Sequence, residues 1–390
     1  MVDSRKLSHD VPCSASPRPA LPGTASPIVC VVGAGHGGLA TAGALALDGH
    51  RVRLLNRSAD RLAAVSAAGA VQVEGLRSGV GRLEMATSDP ARALDDADIV
   101  MVVVPASGHR TIAALCAPHL RNRQIVLLCP GRTFGALEFA AALRRAGSRA
   151  RPRIAEAQTF LFASRVVAPD TVRLFGVKRA LAVGVLDAAD RTACIEKLRL
   201  AIPQVAPASS CLETSLENLG AVFHPALAVH HAERIERGAR FEIYRDHRSP
   251  ELSQALDRVD AERVGLATAL GIPARSARRW LDDVYGCTGP TLADALAANP
   301  AYRGIEAPTT TRMRYITEDV PCGLVPMSSL GRVLDVATPT IDALIDRASA
   351  LHHVDYRAAG RRLEDLGLES RVLHRLRSSK RPPELAPLAA

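Results

Sequence analysis

The stretch Pro27–Ala40, PIVCVVGAGHGGLA, decides the fold of this chain. Its first half is apolar and β-favouring, and its second half places Gly33, Gly35 and Gly38 in the spacing GxGxxG. An Ala- and Leu-rich segment follows. The order of strand, tight glycine turn and helix is the context that a dinucleotide-binding motif requires.

Each glycine has a physical role in such a motif. Gly33 permits the sharp turn, Gly35 lets the backbone approach a pyrophosphate, and Gly38 lets the helix pack closely on its strand. The helix N-terminus offers unpaired N–H groups and a partial positive charge. We therefore predict a cofactor loop that also includes His36 and Gly37.

The end of the second predicted strand, Arg51–Leu55, bears on the choice of cofactor. A site that prefers NAD usually carries an acidic residue about 20 residues after the glycines. Here Asn56, Arg57 and Ser58 stand near that position, and Arg57 is suited to pair with a 2′-phosphate. The sequence thus favours NADP(H) over NAD(H), unless Arg57 merely lies in solvent at the start of the next helix.

Strands and helices alternate through the first half of the chain, which predicts an α/β, Rossmann-like, doubly wound parallel sheet. Asp98–Val104 is the most apolar strand, and Pro105 ends it. Ligands bind beyond the carboxyl ends of such strands, so Pro105 and the loops after Val32 and Leu55 are expected to line the cofactor. We also expect a small hairpin over 71–87 and two strands over 160–185.

Helical patterns predominate from about Ile195, which predicts an all-α C-terminal domain. We divide the chain into a disordered leader (1–26), a dinucleotide-binding domain (27–200), a helical substrate domain (201–370) and a basic flexible tail (371–390). The predicted helices of the second domain are Thr214–Gly238, Ser249–Leu270, Ala274–Val284, Pro290–Ala298, Pro339–Leu351 and Arg361–Leu366.

Composition argues against several classes of protein. The net charge is +9, but the basic residues are almost all arginines spread along the chain, and aromatic residues amount to 3%, so a nucleic-acid surface is not indicated. No apolar run has the length of a membrane span, and the cysteines show no CxxC or metal-ligand spacing. We expect a cytoplasmic protein without metal, and an apolar face on the helical domain would suit a homodimer.

Two segments of the second half carry candidate chemistry. In NLGAVFHP (218–225), Pro225 cannot donate to the carbonyl of Ala221, so we predict that the helix breaks at His224 and restarts at Pro225. A lone histidine in an apolar segment is more often structural. It gains interest here because a predicted cofactor domain precedes it and a carboxylate-bearing segment follows.

That segment is RMRYITEDVPCGLVP (312–326), which we expect to contain a loop enforced by Pro321 and Gly323. Reduction of C=O or C=N requires a proton donor, a carboxylate to orient it and an arginine to bind a substrate carboxylate. His224, Asp319 and Arg314 fit these three roles. Alternatively, Arg314 and Glu318 form only a surface ion pair at i, i+4 spacing.

Blocks of this sequence resemble the octopine/nopaline (opine) dehydrogenase family. They are ENLGAVFHPAL (217–227), PAYRGIEAP (300–308), RYITEDVPCGLVP (314–326) and SLGRVLDVATPTIDALI (329–345), within a resemblance over about residues 27–368. It implies NAD(P)H-dependent reductive condensation of an amino acid's amine with an α-keto acid. It also implies that His224 is the catalytic histidine, Asp319 its partner, Arg314 a substrate-binding arginine and Asn218 the family's asparagine. Cys322 departs from the aromatic residue expected there.

Two other functions are compatible with the cofactor motif. A 2-keto acid or ketone reductase could use a related two-domain fold, although families that depend on an active-site lysine are disfavoured, because residues 198–379 contain no lysine. A non-catalytic NADP(H)-binding sensor would retain the glycines without needing His224 and Asp319.

Overall fold

The computed structural model describes residues 26–246 and 248–366. The predicted tail and nearly all of the predicted leader lie outside the described residues. The strands of the first half are β1 Ile28–Val32, β2 Arg51–Leu55, β3 Ala70–Gly75, β4 Gly79–Arg82, β5 Met85–Thr87, β6 Ile99–Val102, β7 Ile125–Leu128, β8 Arg153–Ala157, β9 Phe162–Ala168, β10 Thr171–Val177, β11 Leu181–Val185 and β12 Val205–Pro207. The helices among them are α1 His36–Leu47, α2 Ala63–Ala68, α3 Pro90–Leu94, α4 His109–Cys116, α5 Gly135–Arg145 and α6 Arg191–Ala201.

The main sheet has eight strands in the order β12-β11-β8-β7-β6-β1-β2-β5. The strands from β8 to β5 are all parallel, and β11 and β12 continue the sheet in the opposite direction. β1 and β6 are buried almost throughout because helices cover both faces of the sheet. This confirms the predicted Rossmann-like α/β domain. The last strand lies beyond residue 200, where we placed the boundary.

A second, four-stranded sheet, β4-β3-β10-β9, was not predicted. The predicted hairpin exists as antiparallel β3 and β4, but β3 also pairs in parallel with β10, and β5 joins the main sheet instead. The prediction of two strands over 160–185 was wrong, because this segment forms three: β9 and β10 pair with each other, and β11 returns to β8. Such long-range pairing leaves no signal in local periodicity.

The second half is helical, which confirms the predicted all-α domain. Its helices are α7 Cys211–Leu216, α8 Leu219–His230, α9 Ala232–Glu236, α10 Pro250–Ala269, α11 Ala277–Tyr285, α12 Leu292–Ala298, α13 Arg314–Thr317, α14 Val325–Leu334, α15 Pro339–His352, α16 Tyr356–Ala359 and α17 Leu363–Leu366. One continuous core joins these helices, and α8 lies within it. None of the helices in the described ranges is long and apolar enough to cross a membrane.

The predicted break at His224 is wrong, because α8 runs through Pro225 without interruption. The chain breaks instead at Glu217 and Asn218, between α7 and α8. A proline inside a helix costs about 3 kcal/mol. Nine of the twelve residues of α8 are buried, however, and this packing offsets the lost hydrogen bond.

The predicted loop at 312–326 is also wrong. The segment is helical: α13 is followed by a π-helical turn, Val320–Leu324, which leads directly into α14. Pro321 and Pro326 each occupy the first turn of their own segment, a position where proline is well tolerated. The prolines therefore start new helical segments here.

The end of the helical half returns to the first half through Arg361, which is 1% exposed. Its guanidinium donates hydrogen bonds to the backbone carbonyls of Gly131, Thr133 and Ala106, at 2.9–3.1 Å. It also pairs with the Glu138 carboxylate on α5. One buried side chain thus connects the loops that follow β6 and β7.

Candidate active site

The glycine loop after β1 has the geometry that a pyrophosphate cradle needs. Gly33 has a φ of +116°, and a Cβ there would lie 2.4 Å from the carbonyl oxygen of Val103. A Cβ on Gly38 would lie 1.8 Å from the carbonyl oxygen of Gly33, so the helix contacts the turn directly. At Gly35, by contrast, no atom lies within 4 Å of the Cβ position. The loop is closed where the chain packs and open where a ligand would approach.

His36 begins α1 and connects it to the second sheet. Its Nδ1 accepts a hydrogen bond from the Val166 N–H at 2.8 Å, and its carbonyl oxygen accepts one from the Ser164 hydroxyl. Partial burial lowers the pKa of His36, and the cations Arg165 and Arg314 lower it further. The neutral His36 imidazole therefore links the glycine loop to β9.

The residues after β2 divide between loop support and exposure. The Asn56 Oδ1 accepts from the Ala34 N–H in the glycine loop at 3.1 Å, and its Nδ2 donates to the Ser58 carbonyl oxygen at 3.0 Å. Arg57 is exposed, and no side-chain hydrogen bond or ion pair engages it within the described part of the chain. Pro105 lies in the loop after β6 and is exposed at the same edge of the sheet.

The two candidate catalytic residues meet in the helical half. The His224 Nδ1 lies 2.7 Å from the Asp319 Oδ2, although the two residues are 95 positions apart. The Asp319 side chain is 2% exposed and the His224 side chain is 19% exposed. Among the described residues, none makes a hydrogen bond to the His224 Nε2. This arrangement leaves one imidazole nitrogen available to a substrate and engages the other with a carboxylate.

The charge on Asp319 is held by its neighbours. Burial by itself raises the pKa of this carboxyl, but the Arg132 guanidinium and then His224 more than offset that effect, so the pKa lies below its ordinary value. An ionised carboxylate next to an imidazole favours the protonated ring and fixes its orientation. The pair is therefore a candidate acid/base dyad, called the dyad below.

Aromatic rings continue outward from the dyad. The His224 ring stacks on Tyr315 with centroids 4.1 Å apart and an interplanar angle of 7°. The Tyr315 hydroxyl lies 3.3 Å from that of Tyr244, and Tyr244 stacks on Tyr302. Burial raises the pKa of Tyr315 and that of Tyr244, so both phenols stay neutral near the dyad. The stack fixes the plane of the imidazole. In the sequence, the only indication that Tyr315 contributes to the site was its position directly after Arg314.

Arg314 and Glu318 form the i, i+4 ion pair that was considered as the alternative, but it is not a surface pair. The Glu318 side chain is 3% exposed, and its Oε1 accepts a hydrogen bond from the Ala106 N–H in the loop after β6, at 3.1 Å. The Arg314 side chain is 50% exposed, so only one side of it is taken up by Glu318. The pair links the helical half to the cofactor edge of the sheet.

Sequence reasoning missed Arg132, which lies in the loop after β7. Its Nη1 donates to the Asn218 Oδ1 at 3.3 Å and lies 3.7 Å from the Asp319 Oδ1. Asn218 in turn donates from Nδ2 to the Thr133 hydroxyl at 3.2 Å. The predicted residue Asn218 thus contacts the dyad through Arg132. The position of Arg132, just beyond the carboxyl end of a sheet strand, was the available signal.

These features define a class of protein. The open Cβ position at Gly35 and the helix N-terminus beside it fit the pyrophosphate of a dinucleotide cofactor, which the glycine loop would hold through backbone N–H groups. The loops at the same edge lead through Glu318 to a His–Asp pair and an arginine. A parallel sheet with such a loop and a facing acid/base pair is the arrangement of a two-domain dinucleotide-dependent dehydrogenase.

Comparison with known proteins gives the family. Residues 207–352 match the NAD/NADP octopine/nopaline dehydrogenase alpha-helical domain, and residues 28–131 match the NAD-dependent glycerol-3-phosphate dehydrogenase N-terminus. An opine dehydrogenase of Arthrobacter sp. (strain 1C) is 38% identical over 350 residues, which are 90% of this chain and 97% of that protein.

Two solved structures share the fold. Octopine dehydrogenase with NADH and L-arginine has a TM-score of 0.74 at 21% identity, and the alignment covers 92% of this chain and 99% of the other. NADP⁺-bound yersinopine dehydrogenase has a TM-score of 0.67 at 17% identity, with 90% and 97% covered. The chain belongs to the octopine/nopaline (opine) dehydrogenase family, as its sequence blocks indicated. It is an NAD(P)-dependent oxidoreductase acting on CH–NH groups.

Proposed function

We propose that this protein condenses an amino acid with an α-keto acid and reduces the resulting imine, with His224 and Asp319 as the acid/base dyad. The observation that carries the proposal is the 2.7 Å contact between the His224 Nδ1 and the buried Asp319 carboxylate. It leaves the Nε2 free to act on a substrate. General acid/base groups of this kind contribute about 10²- to 10⁴-fold to a rate.

Each remaining residue has a defined part in this proposal. Arg314, half-exposed and already oriented by Glu318, binds a substrate carboxylate through its unoccupied N–H groups. Protonated His224 donates its Nε2 proton to the carbinolamine oxygen as water leaves, and Asp319 stabilises the imidazolium. The hydride would come from the nicotinamide cofactor when it is bound. Asn218 fixes Arg132 and Thr133 beside the dyad.

For the cofactor we propose that NADP(H) is preferred over NAD(H). Arg57 is an exposed cation directly after β2, where the 2′ substituent of the adenosine ribose lies in this class of fold. None of the residues at positions 56–58 is acidic, so no negative side-chain charge there would repel a 2′-phosphate. Arg57→Ala is expected to weaken NADPH binding about 10-fold and to leave NADH binding unchanged, since a charge-assisted bond is lost. Arg82→Ala, on an exposed position of β4, is the matched control.

The reaction is tested by following oxidation of NADPH and NADH with pyruvate, 2-oxoglutarate, oxaloacetate or glyoxylate, each with and without a pool of amino acids. Oxidation that requires both substrates supports the proposal. Equal oxidation with keto acid alone would make the protein a keto acid reductase. His224→Ala separates the enzyme from a cofactor sensor, because it is expected to bind cofactor normally and to lose at least about 100-fold in turnover.

A further inference from the structure

We propose that Arg132 is a positioning residue of the dyad, which keeps Asp319 ionised in both protonation states of His224. This inference rests on the proposed function, since it concerns the same pair. Arg132 comes from the cofactor half of the chain, whereas both members of the dyad come from the helical half. The site is therefore complete only where the two halves meet.

The first argument is the position of the guanidinium. Its Nη1 lies 3.7 Å from the Asp319 Oδ1 and its Nε lies 3.6 Å from the Glu318 Oε1. All three side chains are largely buried, at 15% exposure for Arg132 and 2–3% for the two acids. One permanent cation thus lies between two adjacent buried carboxylates, where Coulomb attraction is weakly screened.

The second argument is the chemistry that the dyad performs. When His224 gives up its Nε2 proton, the ring becomes neutral and no longer compensates the charge of Asp319, although the Nδ1–H can still donate its hydrogen bond to the carboxylate. A buried carboxylate without a compensating charge is unfavourable. Without another cation nearby, protonation of Asp319 would become easier, and a protonated Asp319 could not stabilise the imidazolium when His224 takes up its next proton. An arginine stays protonated at all relevant pH values, so Arg132 compensates the charge at the step where His224 cannot.

The third argument is the backbone of the loop. Arg132 has a φ of +60°, a left-handed conformation that is strained for residues other than glycine. The flanking backbone is held from both halves of the chain: the Gly131 N–H donates to Ala157, the Thr133 N–H donates to Cys322, and Arg361 binds both carbonyl oxygens. A strained residue fixed by so many contacts is typical of a functional position.

The fourth argument is the space left for the guanidinium. A Cβ at Gly220 would lie 2.8 Å from the Arg132 Nη1 and 3.3 Å from the His224 Nδ1 and Cε1. Glycine at this point of α8 therefore allows the guanidinium and the imidazole to pack over the same turn. The Arg132 Nε and the Asp319 Oδ1 are both buried without a hydrogen-bond partner in the described part of the chain. At 3.6–3.7 Å, the contacts of Arg132 with Glu318 and Asp319 are therefore ion pairs without hydrogen bonds.

The charged and titratable groups around Asp319 determine what a variant should do. They are Arg132, His224, Arg314, Glu318, Tyr244, Tyr315 and Cys322. Both tyrosines and Cys322 have a raised pKa, chiefly because of burial, and remain neutral. Loss of the Arg132 charge therefore leaves Arg314 as the sole permanent cation in this set, and we expect the pKa of Asp319 to rise.

The test compares the pH profiles of kcat/KM for the wild type, Arg132→Met and Arg132→Lys. Activity needs Asp319 ionised and is lost as the pH falls through its pKa, so Arg132→Met should move the acid limb to higher pH by about one unit or more. Arg132→Lys keeps the positive charge, so its acid limb should lie at the wild-type pH. Arg357→Met, which removes an arginine from a separate cluster with Asp342, should leave it unchanged.

A second readout is independent of turnover. The readout is a ¹⁵N NMR titration of the His224 ring nitrogens, whose signals are identified because they are missing in His224→Gln. Their chemical shifts change when Asp319 titrates, and this change should be absent in Asp319→Asn. That step should move to higher pH in Arg132→Met. If the methionine variant does not fold, Arg132→Gln carries the same expectation.

The inference would be overturned if, in Arg132→Met, the acid limb of kcat/KM and the His224 chemical-shift step both stay at the wild-type pH. This holds even if kcat of the variant falls by the same factor at every pH. Failure of Arg132→Lys to restore them would also overturn it. If the wild type turns over no pair of substrates, the proposed function fails, whereas the chemical-shift titration still decides the role of Arg132.

Discussion

The His224 imidazole and the Asp319 carboxylate are joined at 2.7 Å by a fold that brings α8 against the turn between α13 and the π-helical segment. The contact is asymmetric. Asp319 is almost fully enclosed, while His224 is partly open and lies against the Tyr315 ring. The carboxylate is therefore placed to orient the imidazole, and of the two side chains only that of His224 is open to solvent to any extent.

Asp319→Asn tests that relationship. The amide keeps the shape of the side chain but removes the charge that stabilises an imidazolium, so kcat should fall by about 100-fold or more. The dissociation constant of the cofactor, measured by NADPH fluorescence, should not change. Asp342→Asn, in a cluster with Ser328 and Arg357, is the control and should retain kcat. Equal losses in the two variants would remove the dyad from the mechanism.

Arg314→Met addresses substrate binding. Loss of a charge-assisted bond of about 1.5–3 kcal/mol should raise the KM for the keto acid or the amino acid by about 10- to 100-fold. The substrate whose KM rises is the one whose carboxylate Arg314 binds. Steady-state kinetics with each substrate varied in turn makes the assignment. An unchanged KM for both substrates would leave Arg314 only as the partner of Glu318.

The glycine loop allows a matched pair of variants. Gly38→Ala places a methyl group 1.8 Å from the Gly33 carbonyl oxygen, so the melting temperature should fall strongly. Gly35→Ala meets no atom within 4 Å, so the protein should fold normally and lose cofactor affinity. Thermal denaturation and NADPH fluorescence separate the two effects. Normal cofactor binding by Gly35→Ala would contradict the assignment of this loop as the pyrophosphate cradle.

Glu156 on β8 gives a prediction about pH and stability. Its carboxylate is fully buried and accepts hydrogen bonds from the Ala136 N–H and from the hydroxyls of Thr214 and Ser215, at 2.7–2.8 Å. Burial nevertheless raises its pKa. A carboxyl with a raised folded-state pKa stabilises the fold while it is protonated, and this stability is lost as the pH rises through that value.

Glu156→Gln removes this titration and can keep the contacts, because the two hydroxyls are able to rotate and accept from the amide. The melting temperature of the variant relative to the wild type should therefore increase as the pH rises above the ordinary pKa of a glutamate, about 4.3. Glu74→Gln, at an exposed ion pair with Arg173, should show no such trend. A difference for Glu156→Gln that is constant with pH would show that the carboxyl does not titrate in this way.

The sequence predicted the cofactor half well because its signals are local. The strand and turn around Gly33 and the apolar β6 follow directly from periodicity and glycine spacing. The second sheet was missed because β3 pairs with β10, about a hundred residues later, and neither strand carries information about its partner.

Errors in the helical half came from local rules that packing overrides. Pro225 predicted a break, but the core encloses α8, and Pro321 predicted a loop where it begins a π-helical turn. Of the site, the motif blocks indicated His224, Asp319 and Arg314. Arg132 was missed because it approaches the dyad from a loop of the other half, which only the tertiary structure reveals.

The buried Arg361 has a consequence for how the enzyme is assembled. The loops after β6 and β7 complete their hydrogen bonding with a side chain that is synthesised more than two hundred residues later. While the chain emerges from the ribosome, the carbonyl oxygens of Gly131, Thr133 and Ala106 lack the hydrogen bonds that the Arg361 guanidinium later donates to them. We therefore expect a nascent chain that lacks residue 361 to bind cofactor poorly and to be cleaved readily by proteases in these loops.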